Sequence, residues 1–229
     1  IITNGAITGR CTHFNPNLAQ VASKASEYGN EMRQLFIAPT DMVMLGCDFS
    51  GLELRVLSHY LHNYDSGDFK KSLLEDDIHT KNQQLLGLES RDKAKTFIYA
   101  YIYSAGNQRL SEILGVSVEK AKRIREKFEK AIPALKNLKQ AVAIKYRNQQ
   151  WLSGLDKRKL LARSEHSILN LLIQSAGSLI VKQATIILHR KFNEKHFTNT
   201  DVNMVAHIHD ELQIESKSEL ADAVGKLAV

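Results

Sequence analysis

A long helical block separates the two strand-bearing parts of this sequence, and this arrangement limits the fold most strongly. The apolar run MVMLGCDF at 42–49 has the length of a buried strand. AHIHDELQI at 206–214 alternates like a hairpin strand, and we predict two short strands that meet at His209 and Asp210. The patterning between them, over 77–148, is helical, with breaks at Gly87, at Gly106, at 114–117 and before Pro133. A sheet that contains both strands must therefore close across a helical insertion.

The segments beside this block complete an α+β pattern that is rich in helix. Apolar residues recur at helical spacing in SGLELRVLSHYL, which predicts a helix directly after the first strand. Residues 151–161 predict a hairpin or turn, and residues 165–195 predict a long helix. The expected buried positions of this helix are Ile168, Leu169, Leu172, Ile173, Ala176, Leu179, Ile180 and Ile187.

Composition narrows the class of protein. The 229 residues are 43% hydrophobic, which suffices for a core of one or two domains. The net charge of +6 favours a polyanionic partner, nucleic acid first, although an ordinary basic protein has the same balance. Because the sequence has no apolar run of about 18 residues and no signal-peptide pattern, we expect no membrane span. Cys11 and Cys47 lack metal-ligand spacing and are expected to be free thiols.

Two aspartates each stand at the end of an apolar strand. Asp48 ends the first, and alternation predicts that Asp210 shares the buried face of the second with Ala206, Ile208, Leu212 and Ile214. A buried carboxylate needs a partner, and converging carboxylates without a fixed cation suit Mg²⁺. Two such ions about 4 Å apart can promote phosphoryl or nucleotidyl transfer. Taken singly, each aspartate is also typical of a turn or a helix N-cap.

A second group lies in SRDKAKTFIYAYIYSAG at 90–106. Ser90 predicts a helix N-cap. One stripe of the helix then carries two cations followed by two aromatic rings, namely Arg91, Lys95, Tyr99 and Tyr103. Two cations suit a triphosphate, and a ring one turn further suits the sugar and base of the same molecule. A solvated basic face that grades into core aromatics has the same pattern.

Three shorter features each have a structural and a functional interpretation. His79 in DIHTKN can donate to a phosphate, but it is also an ordinary residue near a helix start. TGRCTHFNPNLAQ at 8–20 offers polar groups to phosphates and to the minor groove, and it also fits a polar loop. Glu53 completes the capping-box pattern of residues 50–53, which explains it without a further role.

Together these motifs resemble DNA polymerase family A, the bacterial DNA polymerase I family. Four segments follow the order of its polymerase motifs: DFSGLELRVLSHYL, DIHTKN, RDKAKTFIYAYIYSAG and HDELQ. The residues of these segments most resemble those of the polymerases of T-odd phages. TGRCTHFNPNLAQ and GLDKRKLLARSEHSILNLLIQSAG resemble the segments that connect the motifs in the same phage enzymes. The resemblance covers nearly the whole chain. It implies an α+β, helix-rich fold, in which a palm of antiparallel sheet backed by helices carries a helical fingers insertion.

The resemblance also implies how the chain divides. Residues 1–76 and 149–229 would form the palm, and residues 77–148 would form fingers that close over a deoxynucleoside triphosphate. The thumb and exonuclease domains would be absent, so primer–template would be held weakly. Whether a processivity factor binds stays open, because such factors usually bind the thumb.

The resemblance implies roles position by position. Asp48, Asp210 and the supporting Glu211 match catalytic carboxylates, and two Mg²⁺ (or Mn²⁺) would bind Asp48, Asp210 and the main-chain carbonyl of Phe49. The dNTP would contact His79, Arg91, Lys95, Tyr99 and Glu53; Tyr99 would tolerate dideoxynucleotides and Glu53 would exclude ribonucleotides. DNA contacts would come from Arg10, Asn17, Gln20, Tyr103, Gln174 and His209. The sequence departs from the family at Ala100 and Ser104, where the family has glycine after each tyrosine.

The expected activity is template-directed DNA synthesis, in which a primer 3′-hydroxyl attacks the α-phosphate of a dNTP and pyrophosphate leaves. One alternative is a weak or inactive fragment that binds primer–template. Another is a single-subunit RNA polymerase or a reverse transcriptase. The expected partners are primer–template DNA and dNTPs, without a membrane, in the bacterial cytoplasm of a phage-infected host.

Overall fold

The computed structural model describes residues 1–24 and 26–229, which form two compact units. The sheet unit consists of Ile1–Leu52 and Ser175–Val229, and the helical unit consists of Glu53–Gln174. The helical unit starts earlier and ends later than the predicted insertion at 77–148, because helices on both sides of that block belong to the same compact unit. The assignment of palm and fingers to particular residues stays a prediction.

Helices dominate the described part of the chain. The helices are α1 (Gly29–Gln34), α2 (Leu52–Asp65), α3 (Asp68–Glu75), α4 (Ile78–Leu86), α5 (Arg91–Ile102), α6 (Asn107–Leu114), α7 (Val118–Ala131), α8 (Pro133–Gln149), α9 (Ile168–Glu194) and α10 (Ala221–Ala228). The strands are β1 (Met42–Asp48), β2 (Leu152–Ser153), β3 (Lys159–Leu160), β4 (Val202–Ile208) and β5 (Glu211–Lys217).

The sheet unit is built on an antiparallel sheet with the strand order β1–β5–β4. Leu212, Ile214 and Ser216 of β5 are buried and alternate with half-buried residues. Helix α10 packs on this buried face, where the Cys47 thiol lies 3.4 Å from the carbonyl oxygen of Ala228. The opposite face of the sheet stays accessible, so β1 is half-exposed and not the fully buried strand that its apolar run predicted.

The predicted meeting of two strands at His209 and Asp210 is confirmed, but the apolar face predicted to run through AHIHDELQI is wrong, because alternation does not continue across the turn. His209 and Asp210 form this turn, which joins β4 to β5 and pairs Ile208 with Glu211. Residues directly opposite each other share a face of the sheet. Ile208 therefore lies on the face of Glu211, whereas Leu212 lies on the buried face. Asp210 lies in the turn and is half-buried, so it is not a misplaced core charge.

The breaks predicted in the helical unit are confirmed. Helix α4 ends at Gly87, Gly106 and Gly115 flank α6, and Pro133 is the first residue of α8. The predicted hairpin at 151–161 is the β2–β3 pair.

Three aromatic rings that are at most 1% exposed occupy the core of the helical unit: Phe97, Tyr101 and Phe128. The Phe128 ring meets the Phe97 ring edge-to-face at a centroid distance of 5.4 Å and the Tyr101 ring at 5.0 Å. These contacts join α5 to α7.

Helix α9 confirms the predicted long helix but corrects part of its buried face. Ile180 and Ile187 are 39% and 45% exposed, whereas the next residues, Val181 and Leu188, are buried. The buried stripe rotates along 27 residues, so a pattern set at one end is displaced by one position at the other. Among the described residues, the stretch Glu165–Glu194 is long and apolar enough to cross a membrane by length and composition alone. A core helix passes the same test, so this is weak evidence for a membrane.

The two departures from the family's glycines predict opposite effects on stability. Ser104 has φ +59° in the turn that ends α5, a left-handed conformation that strains a residue with a Cβ. Ser104→Gly is expected to raise the free energy of unfolding by about 1 kcal/mol. Ala100→Gly, inside α5, is expected to lower it by about 1 kcal/mol. Urea unfolding followed by circular dichroism measures both free energies. Changes of the same sign would contradict the left-handed conformation at Ser104 or the helical conformation at Ala100.

Candidate active site

The sheet unit brings the two strand-end aspartates to one rim of its sheet. β1 ends at Asp48, and its pairing with β5 places Asp48 opposite Glu211. The next backbone N–H, that of Phe49, donates to the carbonyl oxygen of Asp210 at 3.1 Å. The end of β1 and the β4–β5 turn are thereby joined, so the backbone positions of Asp48, Asp210 and Glu211 lie at the same rim.

These three carboxylates are accessible. Asp48 is exposed, and Asp210 and Glu211 are half-buried. Directly opposed residues of an antiparallel pair have Cβ atoms about 4.5–5.5 Å apart, and like charges at that distance destabilise the pair. The Asp48–Glu211 pair therefore favours a cation at this rim.

A glycine makes room for the Glu211 side chain. The Gln213 amide donates to Glu211 Oε1, and Gly46 lies opposite Gln213 on β1. A Cβ on Gly46 would lie 3.0 Å from Glu211 Oε1 and 3.3 Å from Gln213 Nε2. A larger residue there would push Glu211 away from its present position.

Two histidines that the sequence patterns did not single out support the turn of Asp210. His207 Nε2 lies 3.2 Å from the carbonyl oxygen of His209, and His13 Nε2 lies 2.9 Å from the carbonyl oxygen of His207. Burial lowers the pKa of His207, so its imidazole is neutral at pH 7. Its Nε2–H then donates to His209, and its Nδ1, 3.5 Å away, accepts from the Cys11 thiol. The histidine alternation in AHIHD was the available signal.

The turn itself is strained at His209. Its φ of +57° is in the left-handed region, which is uncommon for a residue with a side chain. Such strain persists only where neighbouring contacts hold it, and it concentrates at functional sites. The hydrogen bond from His207 is one of these contacts.

The remaining predicted DNA contacts divide between the units. In the sheet unit, Arg10 is half-buried, whereas Asn17 and Gln20 are exposed at the short 3-10 turn Leu18–Gln20. The bond of His13 to His207 ties this N-terminal segment to β4. The other two predicted contacts belong to the helical unit: Gln174 is half-buried in α9, and Tyr103 is 40% exposed.

Helix α5 carries the predicted nucleotide-binding row on its accessible side. Ser90 Oγ accepts the Lys93 N–H at 3.1 Å, which confirms the N-cap. Arg91, Lys95 and Tyr103 are exposed, and the Tyr99 and Tyr103 ring centroids are 6.5 Å apart. The opposite side is core, with Phe97, Ile98, Tyr101 and Ile102 each at most 2% exposed.

Asp77 holds Arg91, a role that the sequence patterns did not reveal. Arg91 donates from Nε to Asp77 Oδ2 at 2.6 Å and from Nη2 to Asp77 Oδ1 at 3.2 Å. The same carboxylate caps α4 by accepting the backbone N–H groups of His79 and Thr80. The guanidinium holds the pKa of Asp77 well below its usual range. An aspartate before the first turn of a predicted helix was the available signal.

His79 lies beside this row. Its ring centroid is 6.4 Å from that of Tyr99, and its buried Nδ1 has no hydrogen-bond partner among the residues the structure describes. Burial, and then the positive charge of Arg91, lowers the pKa of His79. A neutral imidazole with a nitrogen still to be paired can donate to a phosphate oxygen.

Glu53 and Tyr103 form a direct pair in the helical unit. Glu53 is only 8% exposed, and its Oε2 accepts a hydrogen bond of 2.5 Å from the Tyr103 hydroxyl. The pair fixes a carboxylate next to the aromatic end of the α5 row.

Comparison with known proteins identifies the family. The profile of DNA polymerase family A matches residues 1–229, the whole chain. The chain belongs to DNA polymerase family A. It is 38% identical to the DNA-directed DNA polymerase of Enterobacteria phage T3 and, equally, to that of Escherichia phage T7, over 94% of this chain and 34% of each relative. The chain thus spans about a third of the length of these relatives.

A solved polymerase structure has the same fold. The chain matches the POL domain of Pol1 from M. smegmatis, in complex with DNA primer–template and dNTP, with a TM-score of 0.85 and 21% identity. The match covers 97% of this chain and 42% of that one. The predicted α+β polymerase fold, with an antiparallel palm sheet and helical fingers, is confirmed.

The surroundings of His79 predict its titration. We expect an NMR pKa below the ordinary 6.5, because burial and Arg91 disfavour the imidazolium. Arg91→Gln should raise this pKa and Asp77→Asn should lower it further, each by roughly half a pH unit, since one cation or one anion is removed. Arg109→Gln, which breaks a surface pair with Glu112, is the control and should leave it unchanged. Equal titration in all four proteins would contradict this electrostatic account.

Proposed function

We propose that this chain is the palm and fingers part of a template-directed DNA polymerase that extends a primer with deoxynucleotides. The observation that carries the proposal is the β1–β5 pairing, which brings Asp48 to Asp210 and Glu211 at an accessible rim. The phage relatives are DNA-directed DNA polymerases, and the solved relative holds primer–template and dNTP. We infer that the chain acts in the bacterial cytoplasm during phage infection.

Two Mg²⁺ fit the donors at this rim, with Mn²⁺ as a substitute. We assign Asp48, Asp210 and the Phe49 carbonyl as ligands; that oxygen accepts the Leu52 N–H and keeps a second lone pair. In the chain outside residue 25, no group of three or more His, Cys, Asp or Glu forms a ready-made metal cage. The proposal therefore rests on fewer protein ligands, because Mg²⁺ binds through one or two carboxylates and completes its shell with water and substrate phosphates.

When bound, the ions would activate the primer hydroxyl and stabilise charge on the transferred phosphate and the leaving group. The protein's contribution is then to position the reacting groups and supply fixed charge. Glu211 supports this site from the neighbouring position on the same sheet face as Asp48.

The outer row of α5 would bind the incoming nucleotide. Arg91 gives a planar fork and Lys95 a point charge for the triphosphate, with His79 as a further donor. Tyr99 would contact the sugar and tolerate a dideoxyribose. The buried carboxylate of Glu53, fixed by Tyr103, would exclude the 2′-hydroxyl of a ribonucleotide.

Polar side chains of both units would hold the primer–template. Arg10, Asn17 and Gln20 suit phosphates and minor-groove acceptors, and His209 lies next to Asp210, a proposed metal ligand. Tyr103 would stack against the template base, and Gln174 would make a further polar contact. The net charge of +6 favours this polyanion.

The carboxylate assignment predicts the effect of removing one charge. Asp210→Asn is expected to reduce Mg²⁺-dependent extension of a labelled primer by about a thousandfold or more, since a lost metal ligand removes several kcal/mol from transition-state stabilisation. Folding should be unchanged by circular dichroism. Asp222→Asn, at an exposed position of α10, is the matched control and should extend normally.

The outcome of this assay also separates the alternatives. Full primer extension by Asp210→Asn would contradict the assignment of Asp210 as a metal ligand. Binding of primer–template without extension by the unsubstituted protein would favour a non-catalytic fragment. Preferential use of ribonucleotides would favour an RNA polymerase and remove the role given to Glu53.

A further inference from the structure

We propose that Lys139 positions the nucleotide-binding helix α5 by holding its last turn from the side opposite to the nucleotide. Lys139 touches no substrate in this proposal; it acts through Tyr101. The inference rests on the proposed function, because the position of α5 matters for catalysis only if its outer row binds a nucleotide.

Lys139 contacts both the backbone and the side chain of Tyr101. Its Nζ donates to the Tyr101 carbonyl oxygen at 3.1 Å and lies 3.7 Å from the centroid of the Tyr101 ring. The Tyr101 carbonyl also accepts the Ser104 N–H at 3.0 Å, and its second lone pair is available to Lys139. A cation at the C-terminal end of a helix is further stabilised by the helix dipole. A cation over an aromatic ring adds a second attraction. One ammonium thus contacts both the carbonyl oxygen and the ring of Tyr101 at the C-terminal end of α5.

The other end of the Tyr101 side chain is held by α7. Its hydroxyl donates to Glu129 Oε1 at 2.9 Å, and Arg125 Nε lies 3.1 Å from the same oxygen. The Arg125 guanidinium carbon also lies 5.7 Å from the ring centroid. Helices α7 and α8 therefore grip one buried tyrosine of α5 through charged groups.

The position of Tyr101 connects this grip to the nucleotide row. Successive helical residues are about 100° apart, so Tyr101 faces away from both Tyr99 and Tyr103 within a single turn. A rigid turn that shifts at Tyr101 must carry these two rings with it. The Tyr103 hydroxyl in turn donates a hydrogen bond to Glu53, the residue proposed to exclude ribonucleotides.

The charge of Lys139 is also sensitive to pH. Burial lowers its pKa to about 8; Arg125 lowers it further, and Glu129 raises it. Glu165 and His166 line the same pocket of about 320 Å³ as Lys139, together with Arg125 and the loop residues Ser104 and Gly106. In the folded protein the ammonium loses its proton as pH rises through this range, and its attraction for the helix end and the ring then weakens.

The test compares dNTP KM and kcat in single-nucleotide extension from about pH 7 to 9.5. The unsubstituted protein should show a KM that rises above pH 8 relative to Lys139→Arg, whose guanidinium stays charged. Lys139→Met should raise KM about threefold to tenfold at pH 7.5, with a smaller effect on kcat. Lys136→Met, on the exposed side of α8, is the matched control and should leave KM unchanged.

Glu129→Gln provides an independent variant, because it keeps an acceptor for the Tyr101 hydroxyl but removes the charge that raises the pKa of Lys139. The rise in KM should then begin at a lower pH. Identical pH profiles for the unsubstituted protein and Lys139→Arg, or an unchanged KM in Lys139→Met, would overturn the proposal.

Hydrogen exchange separates failure of this inference from failure of the proposed function. If the unsubstituted protein extends no primer, the proposed function fails, but the contact can still be measured. The amides of Tyr103 and Ser104, which close the last turn of α5, should exchange faster in Lys139→Met than in Lys136→Met. Equal exchange would show that Lys139 does not hold this turn.

Discussion

The antiparallel pairing of β1 with β5 is the interaction on which the candidate site depends. It places Asp48 opposite Glu211, and one residue further the Phe49 N–H bonds the carbonyl of Asp210. Asp48 and Asp210, which are 162 positions apart in the sequence, thereby lie at one rim of the sheet. The hydrogen bonds of the sheet fix this arrangement, and the buried face under α10 fixes the register, because a slip of one residue would expose Leu212 and Ile214.

The helical unit presents cations and aromatic rings on the exposed side of one helix, whose opposite side is buried in the core. Helix α5 does this through periodicity alone, with Phe97 and Tyr101 inward and Arg91 and Lys95 outward. Charged groups then refine the position of the helix. Asp77 orients Arg91 at its start, and Lys139 is a second donor to the carbonyl of Tyr101 at its end, beside the Ser104 N–H. Each of these contacts comes from a neighbouring helix.

Much of the fold could be predicted from the sequence, because glycine, proline and capping residues mark the ends of most helices. The error at Asp210 arose because alternation was extended through a turn, and a two-residue turn exchanges the faces of the residues that follow it. Sequence patterns could not identify Asp77, His207 and Lys139 as supporting residues of the site, since their roles depend on partners that only the folded structure brings near. Ile180 and Ile187 were misassigned because a stripe drifts along a helix as long as α9.

We propose that the rim formed by Asp48 and Asp210 binds the catalytic metal ions. A crystal structure with primer–template, a non-hydrolysable dNTP and Mn²⁺ tests it most directly through the anomalous scattering of manganese. We expect anomalous peaks in contact with the carboxylates of both aspartates and with the triphosphate. Manganese bound elsewhere, with neither aspartate as a ligand while the nucleotide is in place, would contradict it.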